Sequence, residues 1–155
     1  NGYMYDTLNE IASHAQLKII LNAVEKGSNP WGCTDYLNQK KKILETGADV
    51  YELMNDYPVH TKAVLINDRL SVVGSYNLDM RSTYLDTELM LVIDSEKLSQ
   101  QIHETESDYM EKSKEVLANG QETEGAKYQG KVLNRKKKLY YGVLRIIIRP
   151  LRQLL

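Results

Sequence analysis

The spacing of apolar residues predicts alternating helices and strands in the first third of the chain. Met4, Leu8 and Ile11 recur at helical spacing, whereas the apolar runs that follow are short and continuous, as in buried strands. Turn-forming residues separate these runs, and Gly47 suits the end of a helix. The predicted elements are a helix over 3–14, a strand at 17–20, an exposed loop at 26–32, a helix over 35–46 and a strand over 48–53.

The middle of the chain contains three further strand-like runs and a long helical segment. Two of the runs are joined by Asn67 and Asp68, which both tolerate a positive φ, so the pair predicts a tight hairpin. Ser95 suits the N-cap of the helix that follows. The predicted elements are strands over 59–66, 69–75 and 88–93 and a helix over 95–117. Strands and helices in this order predict an α/β fold, a mixed β-sheet flanked by helices.

The predicted hairpin has a register that brings polar groups together. With a two-residue loop at 67–68, His60 lies opposite Ser75 on the neighbouring strand. Side chains along a strand alternate between the two faces of the sheet, so His60 and Lys62 share one face. Ser75 and Asn77 join that face from the partner strand. The sequence therefore predicts an imidazole, an ammonium, a hydroxyl and an amide on one patch.

This set of groups suits the chemistry of phosphate esters. The imidazole can attack phosphorus or protonate a leaving group, while the ammonium and the neutral donors hold the equatorial phosphate oxygens. Gly74 has no Cβ and would let the backbone approach a ligand closely. For His60 and Lys62 alone, the simpler interpretation is two polar residues on the solvated face of a hairpin. The agreement of several further residues at fixed spacing favours the catalytic interpretation.

The motif resembles the histidine–lysine signature, called HKD, of the phospholipase D superfamily. The resemblance lies in H60-T-K62, four residues, N67, six residues and G74-S75-Y-N77. The sequence that follows, from Leu78 through Glu88, looks most like the C-terminal half of bacterial cardiolipin synthases. The resemblance covers roughly residues 3–117, and it implies a phospholipase D-like half-domain.

The resemblance also implies roles for individual residues. His60 would be the nucleophile or the general acid, Lys62, Ser75 and Asn77 would bind the phosphate, and Glu88 would hydrogen bond the second nitrogen of the histidine. It further implies a covalent phosphohistidine intermediate and neither a metal nor another cofactor. One position departs from the family, which usually has Asp where this chain has Asn67. Asn suits a turn as well as Asp does, so the departure bears on local stability more than on catalysis.

The resemblance implies a site of two halves, of which this chain carries one. The active site of the family joins two such motifs, one histidine attacking and the other protonating the leaving group. The chain has three histidines, and neither His14 nor His103 fits the motif. We therefore expect a second half, either upstream of Asn1 or from a second copy of the chain.

Three functions remain open from the sequence. The first is phosphatidyl transfer, with cardiolipin made from two molecules of phosphatidylglycerol. The second is phosphodiester hydrolysis by the same chemistry, as in a phospholipase or a nuclease. The third is a non-catalytic lipid-binding half-domain, against which the presence of Glu88 argues, because fixing a histidine tautomer serves reaction more than binding.

Charge is unevenly distributed along the chain. Residues 1–126 contain 11 Lys and Arg against 21 Asp and Glu, whereas residues 127–155 contain 9 basic residues and no acid. The acidic part argues against nucleic acid as a partner, since such sites usually need a basic groove. We predict a catalytic half-domain over 1–118, a linker over 119–130 and a basic amphipathic tail over 131–155.

The basic tail has two interpretations that the sequence leaves open. Arg and Lys with interspersed Leu and Ile predict a helix that binds an anionic membrane surface, although Pro150 would bend or break it. Alternatively, the tail packs on the missing half of the enzyme. With the first interpretation we expect a membrane-associated protein at the cytoplasmic face of a bacterial membrane.

Overall fold

The computed structural model describes residues 2–154, which contacts divide into two compact units. The first unit comprises the chain up to Val59 together with Tyr109–Arg152, and the second is built on His60–Asp108. The elements in chain order are α1 (Gly2–His14), β1 (Lys18–Asn22), α2 (Pro30–Leu44), β2 (Asp49–Leu53), β3 (Ala63–Ile66), β4 (Leu70–Gly74), α3 (Met80–Tyr84), β5 (Met90–Asp94), α4 (Glu96–Glu111), β6 (Ser113–Val116), β7 (Glu122–Glu124), α5 (Arg135–Ile147) and a 3-10 helix (Arg149–Leu154).

The first unit is built on a four-stranded mixed sheet in the order β1-β2-β6-β7. Strand β2 pairs in parallel with β1 and antiparallel with β6, and β6 pairs antiparallel with β7. Central strand β2 is almost entirely buried, with Val50 and Leu53 at 0% and 1% exposure. The α/β prediction is confirmed, although the strands form two sheets where one was predicted.

Two predicted boundaries in this unit are wrong. Helix α2 begins at Pro30, inside the predicted loop, because the side chain of Asn29 accepts hydrogen bonds from the Trp31 and Gly32 amides and Pro30 is suited to a first helical turn. Helix α4 ends at Glu111, and residues 113–116 of the predicted helix form β6, since they find backbone partners on β2. Strand β7 likewise lies within the predicted linker 119–130.

The second unit is a three-stranded antiparallel sheet in the order β3-β4-β5. Ala63 lies opposite Val73 and Ile66 opposite Leu70, so the register is shifted by one residue from the prediction. Asn67 and Asp68 both adopt left-handed φ values, 50° and 54°, and the Arg69 amide donates to the Ile66 carbonyl at 3.3 Å. The first residues paired across the hairpin are Ile66 and Leu70, so the loop between the strands has three residues, 67–69. Helix α4 contacts one face of this sheet.

The contact between α4 and its sheet is polar at one buried point. The hydroxyls of Ser71 and Ser99 lie 2.9 Å apart, and both residues are fully buried. The hydroxyl of Ser95 accepts a hydrogen bond from the Leu98 amide, which confirms the predicted N-cap. With Ser95 as its cap, α4 begins directly after β5.

The basic tail folds onto the first unit. Helix α5 packs against α2, where Arg145 Nε donates to Asn38 Oδ1 at 2.9 Å, and Arg152 in the following 3-10 helix pairs with Asp35 at 3.0 Å. The helix ends before Pro150, as predicted. Within residues 2–154, no helix is both long and apolar enough to cross a bilayer.

Candidate active site

His60 and Lys62 lie together just before β3. The Nζ atom of Lys62 is 2.8 Å from Nε2 and 3.0 Å from Nδ1 of His60, and 3.2 Å from the His60 carbonyl oxygen. An ammonium is only a donor, so the nitrogen that accepts from it is the unprotonated one. The backbone holds this pair at the sheet edge, because the Gly74 amide donates to the Lys62 carbonyl at 3.1 Å.

Ser75, directly after β4, and Glu88, shortly before β5, form a second pair. The Ser75 hydroxyl donates to Glu88 Oε2 and accepts from the Leu89 amide at 3.1 Å, while the Ser75 amide donates to the Leu89 carbonyl at 3.0 Å. Hydrogen bonds from Ser75 and Ser82 and the positive charges of Lys62 and Arg81 lower the pKa of Glu88 below its usual value. Glu88 therefore stays ionised beside the ammonium of Lys62.

Asn77 is held by the short helix α3. Its backbone N–H and its side-chain Nδ2 both donate to the Ser82 hydroxyl, at 3.2 and 3.4 Å. Asp79 caps α3 by accepting from the Ser82 amide at 2.7 Å, so the loop after β4 is folded back on itself. Ser82 was not predicted as a site residue, and the signal for it was the Asp79 N-cap three positions before it.

The structure brings the predicted residues together in a different arrangement from the prediction. The register puts Lys62 opposite Gly74, so the prediction that Ser75 lies opposite His60 is wrong, because the loop has three residues. His60 and Lys62 lie side by side, as predicted. The carboxylate of Glu88 is bonded to Ser75, and no hydrogen bond joins it to His60 in residues 2–154, contrary to the expected tautomer-fixing contact. The catalytic roles of these residues stay predictions.

The structure requires glycine at position 74 for a reason other than the predicted close approach of a ligand. A Cβ at this position would lie 2.0 Å from the Leu89 carbonyl oxygen and 2.9 Å from the Met90 Cα. Real Cβ atoms do not approach other atoms this closely, so only glycine lets β4 and β5 meet at this register. Asn67 is in the hairpin loop, as predicted.

Comparison with known proteins identifies the family. The family model described as cardiolipin synthase, PLD-like domain, matches residues 3–108. The chain belongs to this PLD-like domain family. The matched region contains all of the motif residues from His60 to Glu88.

Individual members of the PLD-like domain family are similar over part of their length. Cardiolipin synthase A of Proteus mirabilis is 37% identical over 94 residues, covering 61% of this chain and 19% of that protein. Cardiolipin synthase A of Serratia proteamaculans is 32% identical over 105 residues, 68% of this chain and 20% of that protein. The chain thus spans about a fifth of the length of these relatives. The crystal structure of a phospholipase D family member, Nuc from Salmonella typhimurium, covers 77% of this chain and 90% of that chain with 11% identity and a TM-score of 0.47.

Proposed function

We propose that this domain supplies one half of the active site of a phosphatidyl transferase that makes cardiolipin from two molecules of phosphatidylglycerol. The observation that carries the proposal is the adjacency of the His60 imidazole and the Lys62 ammonium, 2.8 Å apart, inside the region that matches the cardiolipin synthase domain. A nucleophilic nitrogen beside a fixed cation suits attack on an anionic phosphodiester.

Substrate binding would change the partner of Lys62. In the free protein the Lys62 ammonium donates a hydrogen bond to the unprotonated nitrogen of the His60 imidazole. A phosphodiester oxygen carries negative charge and is a stronger acceptor, so the ammonium would move to it. That transfer would free the His60 nitrogen at the moment when the phosphorus arrives. Ser75 and Asn77 would supply neutral donors to the remaining oxygens.

The reaction would proceed through two displacements at phosphorus. His60, or its counterpart in the second half, forms a nitrogen–phosphorus bond as the bond from phosphorus to the oxygen of the headgroup glycerol breaks. The other histidine gives that oxygen a proton, and free glycerol leaves. The hydroxyl of a second phosphatidylglycerol then loses its proton to the same histidine and attacks the phosphorus. The nitrogen–phosphorus bond breaks, its electrons return to the imidazole, and cardiolipin leaves.

The test is cardiolipin formation from labelled phosphatidylglycerol by an enzyme that contains this domain with a second motif. We expect His60→Ala to lower the rate by at least about 10³-fold, because removing an attacking or protonating group costs several decades. His103→Ala is the matched control, since His103 is an exposed histidine on α4 and is expected to be dispensable.

The products decide between transfer and hydrolysis. Labelled cardiolipin with release of glycerol supports the proposal, whereas phosphatidic acid alone would make the domain a hydrolase. Circular dichroism of each variant separates loss of chemistry from loss of fold. Near-normal turnover by a folded His60→Ala enzyme would contradict the proposed role of this residue.

A further inference from the structure

Helix α5 is held to the first unit by one of its faces. Tyr141, Leu144 and Ile148 lie on that face and are buried, with exposures of 7%, 8% and 0%. Arg145 adds polar contacts to α2, where it donates to Asn38 Oδ1 and its carbonyl accepts from Asn38 Nδ2 at 3.0 Å. The helix is therefore already packed, and its apolar inner face needs no other partner.

The opposite face of α5 is also apolar and is exposed. Leu139, Val143 and Ile146 follow each other at intervals of four and three residues, which puts them on one stripe. Their exposures are 71%, 51% and 70%. A surface helix packed by one face normally presents polar residues on the other. Here the outer stripe marks a surface that contacts something else.

The charges around this stripe indicate the chemistry of the partner. The first turn of α5 consists of four consecutive basic residues, Arg135–Lys138, although positive charge at a helix N-terminus opposes the helix dipole. In the described part of the chain, none of their side chains forms a hydrogen bond or an ion pair with another residue. No acid lies anywhere in residues 127–155. The charge is thus left for an external anion.

We propose that the outer face of α5 binds the surface of an anionic bilayer. Leu139, Val143 and Ile146 would enter the boundary between headgroups and acyl chains, and Arg135–Lys138 would pair with lipid phosphates. Apolar residues flanked by uncompensated basic charge suit a lipid surface, whereas a protein partner would need a matching acidic rim around an apolar patch. The inference rests on the proposed function in that it names the surface by which the domain reaches a lipid substrate.

The test is flotation of the 155-residue chain with vesicles of phosphatidylglycerol and phosphatidylcholine, and with vesicles of phosphatidylcholine alone. All proteins carry His60→Ala, so the result does not depend on turnover, and a failure of the proposed reaction leaves it unaffected. We expect binding to the anionic vesicles that weakens as salt is raised, because the basic residues act through screened charge.

Two variants separate the apolar stripe from the charges. Replacing Leu139, Val143 and Ile146 by Gln is expected to weaken binding about tenfold or more. Replacing Arg135, Lys136 and Lys138 by Gln is expected to weaken it on the order of 100-fold at low salt. The second change leaves the fold intact or stabilises it, since it removes charge that opposes the helix dipole. Circular dichroism checks both variants.

Matched controls carry the same kinds of change elsewhere in the chain, and they should bind like the parent. The charge control replaces Lys18, Lys41 and Lys97 by Gln, and the apolar control replaces Tyr3, Ile11 and Tyr57 by Gln, all of which are exposed. Equal weakening by a control and its test variant would overturn the proposal. So would equal binding to neutral vesicles, or a stripe variant that only turns a dimer into a monomer in light scattering.

Discussion

Gly74→Ala tests whether the close approach of β4 and β5 holds the candidate site together. The added methyl would lie 2.0 Å from the Leu89 carbonyl oxygen, the same oxygen that accepts a hydrogen bond from the Ser75 amide. The Leu89 carbonyl oxygen and the Met90 Cα, 2.9 Å from the added methyl, are backbone atoms, which cannot rotate away as a side chain can. The strands must therefore separate by about 1 Å to restore an ordinary contact distance, which stretches the bond to Ser75.

The cost of this change follows from the two contacts that it disturbs. Inserting a methyl group into a packed site costs roughly 1–3 kcal/mol, and weakening one backbone hydrogen bond adds about 1 kcal/mol. We expect the free energy of unfolding to fall by about 2–4 kcal/mol. A separation of about 1 Å also moves Glu88 away from Ser75 and Lys62, and misplacement of that size can lower the rate on the order of 100-fold.

The assay is urea unfolding followed by circular dichroism, together with cardiolipin formation in the complete enzyme. Gly142→Ala is the matched control, because a Cβ at Gly142 meets no atom within 4 Å and lies in the middle of α5. Alanine is a better helix former than glycine, so the control should gain up to about 1 kcal/mol. If Gly74→Ala unfolds at the same urea concentration as the parent and keeps its activity, the packing argument is wrong.

Two further predictions concern the buried carboxylate of Glu52 and the isolated chain. The carboxylate of Glu52 accepts hydrogen bonds from Lys40 at 2.6 Å and Tyr36 at 2.7 Å, and it pairs with Lys114 at 3.1 Å. We therefore expect Glu52→Ala to lower the free energy of unfolding by about 3–5 kcal/mol in urea titrations at pH 7. If the exposed control Glu45→Ala loses a similar amount, the idea of a buried network is wrong. Burial alone would raise the pKa of Glu52, but these partners together lower it. The stabilisation is therefore present above the unfolded pKa near 4.5 and is lost as the pH falls through the lower folded pKa. In that pH range the difference in unfolding free energy between the parent and Glu52→Ala should shrink. The 155-residue chain alone should show little activity on a generic phosphodiester unless it dimerises, because a displacement at phosphorus needs groups on opposite sides; robust His60-dependent turnover by a strictly monomeric chain in light scattering would refute this.

The sequence alone was enough to predict several elements of the fold. Helix α1, strands β1 and β2 and the N-cap at Ser95 all follow from local spacing and capping residues, which act within a few positions along the chain. The family resemblance rests on fixed residue types at fixed spacing, and such a pattern is visible without coordinates.

Local patterns failed where backbone partners lie far away in sequence. Residues 113–116 have helical neighbours, but they form a strand because β2, about sixty positions earlier, offers free backbone groups. The sequence of the tail likewise did not show that one face of it packs on α2, and its binding to a membrane stays a prediction. Neither partner can be read from the segment itself.

By itself the sequence determined which chemical groups this protein carries: an imidazole, an ammonium, a hydroxyl, an amide and a carboxylate within thirty positions of each other. Only the tertiary structure decided how they pair. Two residues of positive φ suit both a two-residue and a three-residue hairpin loop, and the difference of one residue reverses the face of every side chain beyond it. Hydrogen bonds across β3, β4 and β5 select the longer loop, and they place Glu88 on Ser75.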